Sequence, residues 1–245
     1  MFDFFTQIPW FFWVIVFAAL AFDFANGWHD TANAVATAIS TRVLRPSTAI
    51  IMSAILNFLG AMMSTKVAKT VGSGIVDPAI VQDLSGSMVI LAAVVSAISW
   101  EVYTVFKGLP VSGSHALIGG LIGAAVALYG VKVVVLSGIS KIFLAMLISP
   151  ILGGLIGYVV LMISYFVASR LKPKQVHSGF SFLQIFTASA MSLMHGQNDA
   201  QKVMGVITLL LFTGGYFGAV QFSEAQVPVW VMVACATSMA LGTLV

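Results

Sequence analysis

The sequence predicts an all-α, polytopic membrane protein of inverted-repeat fold with broken or re-entrant helices. Three observations predict it: a composition too apolar for a water-facing surface, a succession of seven apolar stretches, and a polar motif that recurs inside two of them. The chain is 60% apolar and 8% charged, with a mean hydropathy of +1.04. Soluble domains carry about 25% charged residues, so the lipid bilayer is the expected surrounding. The formal charge of +3 is spread along the chain, with no basic block of the kind nucleic acid requires. The one cysteine, Cys235, lies in an apolar run and reads as packing. No Lys or Arg precedes Arg42, so the N-terminus lacks the basic start of a signal peptide and reads as a retained first span.

The first apolar stretch covers residues 8–24 and resumes over 31–40. Between them, "FDFANGWHDTANAVAT" (Phe22–Thr37) places its polar residues where a span should finish, and the spacing predicts a helix divided there. Further stretches follow at 47–65, 86–106, 111–131, 142–169, 181–212 and 227–245. The run "ALIGGLIGAAVALYG" suits close helix–helix contact. Residues 142–169 carry no charge and are long enough to cross with tilt; Pro150 is a candidate kink. With the N-terminus outside, Arg42, Arg45, Arg170, Lys172 and Lys174 fall on the cytoplasmic side, as the positive-inside rule prefers.

The polar motif has an echo. "NGWHDTANAVAT" at 26–37 aligns with "HGQNDAQKVMGV" at 195–206, matching Gly27 to Gly196 and Asp30 to Asp199. Five crossings separate the copies, so the second enters from the opposite side, which defines an inverted repeat. The expected division is 1–170 as a first repeat of about five membrane segments including a serine turn, 171–180 as a cytoplasmic linker, and 181–245 as the start of a second repeat. A partner for "GLPVSGSHALIG" would begin near position 277, so the second repeat is read as truncated.

An ionised carboxylate inside a span costs roughly 2.5–3.5 kcal/mol on insertion scales and marks ion or proton pathways. Asp30 has Asn26 and Asn33 about one turn to either side, and His29 beside it. Asp30, Asn33 and freed backbone carbonyls offer the oxygens a hard cation prefers; a helix cap is the plainer alternative. His29 next to Asp30 is the better proton candidate, and His115 is either a packing residue or a second titrating group. Asp199 comes with Asn198, Gln201 and Lys202, and Lys202 stands where Asn33 stands in the first copy. Lys202 replaces a bound cation, pairs with Asp199, or meets an anionic substrate. In "LPVSGSH" (109–115) Pro110 ends one helix, Gly113 permits a tight turn, and Ser112 and Ser114 offer hydroxyls. A helix beginning there aims its N–H groups at the turn, a seat for an oxyanion; an ordinary connection has the same composition. Glu101 reads as structural. Enzyme motifs are absent: the sequence has no H-E-x-x-H, no G-x-S-x-G and no phosphate loop ending G-K-[ST].

Together "NGWHDTANAVAT", "GLPVSGSHALIG" and "HGQNDAQKVMG" resemble the inorganic phosphate transporter (PiT) family, in the family's order from Asn26 to Gly205. His29 stands where many members have Asn, a variant that resembles bacterial members. The resemblance implies an inverted-repeat secondary transporter without cofactor or resident metal, taking up inorganic phosphate with a proton or sodium. It implies a homodimer in a bacterial inner membrane. It places Asp30, Asn33, Asp199 and Asn198 at coupling-cation sites, and Ser112, Ser114, Gln201 and Lys202 around phosphate. The alternatives are a symporter for sulfate or a metal–phosphate complex, a phosphohydrolase using His29 and Asp30, and a non-transporting fragment.

Overall fold

The computed structural model describes residues 8–217, 222 and 225–245. Among these the chain forms α1 (Trp10–Ser40), α2 (Pro46–Met62), α3 (Lys66–Gly74), α4 (Leu84–Lys107), α5 (Gly113–Tyr129), a 3-10 turn (Val131–Val133), α6 (Leu136–Ala168), α7 (Pro173–Thr213) and α8 (Val229–Thr243).

Local chemistry sets most of the boundaries. Pro46 and Pro173 occupy the start of α2 and α7, where the missing N–H is no loss. Asp83 caps α4, accepting from the Gly86 N–H at 2.7 Å, and Gly108 ends that helix in the left-handed conformation at φ +64°. Ser112 caps α5 by accepting from the His115 N–H at 3.5 Å. The α3–α4 and α5–α6 connections meet through an isolated antiparallel bridge, Val76 to Val134.

Helices α1, α4 and α6 are long and apolar enough to cross a membrane, and α2 with α3, bent by 67° at 63–65, together have the length and composition of a broken span or a re-entrant loop. The break expected near Asp30 is therefore elsewhere. Helix α1 runs unbroken through Phe22–Thr37, which corrects the divided-helix expectation. Its polar side chains Asp23, Asn26 and Thr31 are buried against neighbouring helices, so the backbone keeps its own hydrogen bonds and need not open. Likewise α7 begins at Pro173, so most of the expected 171–180 linker is helical.

The core lies where α1, α2, α7 and α8 cross, with α4 and α5 packed alongside. Glycines set the closest approaches. Gly27 of α1 sits on the Met239 carbonyl of α8, and Gly242 of α8 sits on the Phe24 carbonyl of α1. Gly196 of α7 sits on the Asn57 carbonyl of α2, and Gly60 of α2 sits on the Leu193 carbonyl of α7. Each crossing uses two glycines facing carbonyls three residues before the partner glycine. A side chain in any of the four places would force the helices apart.

Helix α6 stands apart: none of its 33 residues is buried. It meets α3 where Gly138 rests on the Gly74 carbonyl.

Candidate functional site

The crossing of α1 with α7 brings the two halves of the sequence echo together. Asn26 donates from Nδ2 to Asp199 Oδ2 at 3.2 Å. Lys202 donates from Nζ to Asp199 Oδ1 at 2.7 Å, and also to the Ser114 hydroxyl. One ammonium thus joins the second acidic motif to the serine turn. Of the three roles open to Lys202 in the sequence, pairing with Asp199 is the one seen here.

Asp30 lies beside this group. Its Oδ1 is 3.2 Å from His29 Nδ1 and accepts from Asn33 Nδ2 at 3.4 Å. Its Oδ2 is 3.9 Å from His195 Nε2. Asp30, His195 and Asp199 each present a ligand atom within 4.8 Å of the others. Two carboxylates and an imidazole from two helices form a site able to hold a cation. His195 is held from behind by Asn57 Oδ1, 3.1 Å from its Nδ1, and Asn57 donates onward to Thr243 at 2.8 Å. That chain fixes the ring's orientation, as outer partners of metal-binding histidines do.

Other expected residues fall outside the cluster. Gln201 is fully buried and its Oε1 accepts from the Val67 N–H at 2.8 Å, so it anchors the start of α3. Asn198 is exposed on the flank of α7. Ser112 is engaged as the cap of α5. His115 is exposed and lines a groove of about 580 Å³ with Trp100, Ser96 and Gly120, between α4 and α5.

The structure adds groups to which the sequence assigned no functional role. Asp23 is fully buried, and neither of its carboxyl oxygens has a hydrogen-bond partner. Glu101, read as structural, is 2% exposed and approaches Gly113 of the serine turn. His195 completes the cation group, and Asn57 holds its ring from behind. The signal for each was a polar residue in an apolar span; only the fold says which of them meet.

Comparison with known proteins gives the family. Residues 26–245 match the phosphate transporter family. A probable low-affinity inorganic phosphate transporter of Bacillus subtilis (strain 168) is 45% identical over 230 residues, covering 94% of this chain and 67% of the relative. A low-affinity inorganic phosphate transporter of Escherichia coli (strain K12) is 31% identical, covering 81% of this chain and 46% of its own length. A solved structure described as the sodium-dependent phosphate transporter superposes with a TM-score of 0.74 at 22% identity, over 95% of this chain and 74% of that one. It supports the all-α membrane fold. Motifs, fold and kinship lead to one conclusion: this chain is an integral membrane protein that belongs to the phosphate transporter family, a family of transporters and not of enzymes.

Proposed function

We propose that the chain carries inorganic phosphate across the membrane, coupled to a cation, by alternating access. The observation that carries this reading is the Lys202 bridge: a single ammonium contacts both Asp199 and Ser114. It supports a carboxylate–imidazole cation group acting next to a helix N-terminus with serine hydroxyls. A cation at Asp30, His195 and Asp199 neutralises the carboxylates, and Lys202 is then released toward a multiply charged oxyanion at the turn. The names of the relatives support phosphate as the cargo.

The coupling ion is a proton or sodium, with His29 beside Asp30 as the nearest proton group. The reciprocal glycine crossings support two inverted repeats, 1–170 and 181–245, because α1 on α8 and α7 on α2 repeat one contact pattern. Loop charge supports an N-terminus outside, bacterial relatives support a plasma membrane, and the family resemblance supports a homodimer.

Uptake of labelled phosphate into proteoliposomes tests the reading. Wild-type protein accumulates phosphate when a sodium or proton gradient is imposed, and the effective gradient identifies the ion. Asp30→Asn and Asp199→Asn lose gradient-driven accumulation. Unchanged accumulation in both variants would exclude the coupling role.

A further inference from the structure

Glu101 of α4 has no part in the cation group, yet it is buried against the serine turn. Its Oε1 closes on Gly113, the first residue of α5. Asn26 Oδ1 closes on the same glycine, 2.8 Å from where a Cβ would stand. A side chain at Gly113 has no room, because two oxygens already occupy that side of the turn. Asn26 donates from its amide to Asp199, and its oxygen faces the glycine. The second oxygen of Glu101, Oε2, is buried without a hydrogen-bond partner, in a side chain only 2% exposed. The charges that act on Glu101 are Asp30, Asp199 and Lys202 from α1 and α7, with Asp23 nearby.

The turn therefore has two unlike sides. Lys202, the serine hydroxyls and the Gly113 and Ser114 amides at the start of α5 are donors, and the first amides of a helix have no acceptor within it; the His115 amide is taken by Ser112. Ionised Glu101 and Asn26 Oδ1 face them as acceptors, and a cation that neutralises Asp30 and Asp199, two of the charges acting on Glu101, favours that ionised form. A fully deprotonated oxyanion satisfies the donors and leaves its bare oxygens against two buried acceptors. An oxyanion that keeps a hydroxyl satisfies both sides, because that hydroxyl donates to Glu101.

We propose that Glu101 is a specificity-determining residue: it accepts the hydroxyl proton of the ligand and restricts the turn at Gly113 to protonated tetrahedral oxyanions. Phosphate and its analogue arsenate hold a proton at neutral pH; sulfate does not. The proposal rests on the phosphate-transport reading and deepens it, since helix amides and hydroxyls alone do not separate one tetrahedral oxyanion from another.

The test is competition for labelled phosphate uptake in proteoliposomes at neutral pH. A site built to pair with a ligand hydroxyl rejects analogues lacking it strongly, so wild-type protein needs at least roughly 100-fold more sulfate than arsenate for half-inhibition. In Glu101→Gln the side-chain amide donates to bare oxygens, and that ratio falls by roughly tenfold or more. A merely structural role lowers the uptake rate and leaves the ratio where it was. A wild-type ratio near one overturns the proposal, as does an unchanged ratio in the variant. Should Glu101→Gln take up nothing, Glu101→Ala is read in the same way: a fall in the ratio supports the proposal, and an unchanged ratio overturns it. Wild-type protein that takes up no phosphate brings down the transport reading and this one with it, a different result from uptake that sulfate blocks.

Discussion

Asn26 and Asp199, 173 residues apart, are joined by a side-chain hydrogen bond of 3.2 Å at the centre of the bundle. Asn26→Ala removes a donor from a carboxylate that has little access to water. A charged acceptor left short of a partner costs about 1–3 kcal/mol. The expected result is a lower melting temperature in detergent, with a larger loss than for alanine at the exposed Asn198.

Lys202 and Asp199 form a close pair whose side chains are 16% and 14% exposed. Lys202→Met leaves the carboxylate uncompensated, at about 3 kcal/mol. Adding Asp199→Asn removes the second charge and recovers most of that loss. A double-mutant cycle on thermal unfolding measures the coupling; additive losses would mean that the pair is not maintained in the membrane.

The glycine crossings make a contrast that one experiment reads. A Cβ at Gly27 collides with the Met239 carbonyl, whereas one at Gly154 of α6 meets nothing within 4 Å. Gly27→Ala is expected to cost about 1–3 kcal/mol through forced separation of α1 and α8. Gly154→Ala is expected to be neutral or to stabilise by up to about 1 kcal/mol, the difference in helix propensity.

At the cap of α4, outside the spans, the Tyr129 hydroxyl donates to Asp83, and the Gly86 N–H adds a second bond. Together they hold the Asp83 carboxyl below the usual carboxylate range. A depressed folded value means that this contribution is present above the ordinary value of about 3.9 and is lost as pH falls through the folded one. Tyr129→Phe should move the Asp83 titration, followed by carboxyl NMR, back toward the ordinary value.

The spans were legible in the sequence because hydropathy reads the cost of leaving apolar residues in water. The stretches at 47–65, 86–106 and 227–245 became α2, α4 and α8 with small shifts. The motif echo was legible because Gly27 and Gly196 are needed at equivalent close crossings. The continuity of α1 was not. A polar residue in a span is costly only until a partner meets it, and Asn26 finds Asp199 on a helix that local periodicity does not see. His195 and Asn57 escaped notice for the same reason, each a lone polar side chain until the α2–α7 crossing joins them at 3.1 Å. Gln201 stands beside Asp199 and Lys202 in the sequence, and the contact with the start of α3 made by its Oε1 was not legible there.

Helix α6, unburied along its whole length, divides the chain into parts with different energetic bookkeeping. In lipid, a helix with its backbone bonds complete persists without neighbours. Cooperative unfolding of the crossed helices therefore need not carry α6 with it. Amide exchange along α6 is expected to follow its immersion in the bilayer, while exchange along α7 follows the global stability of the bundle.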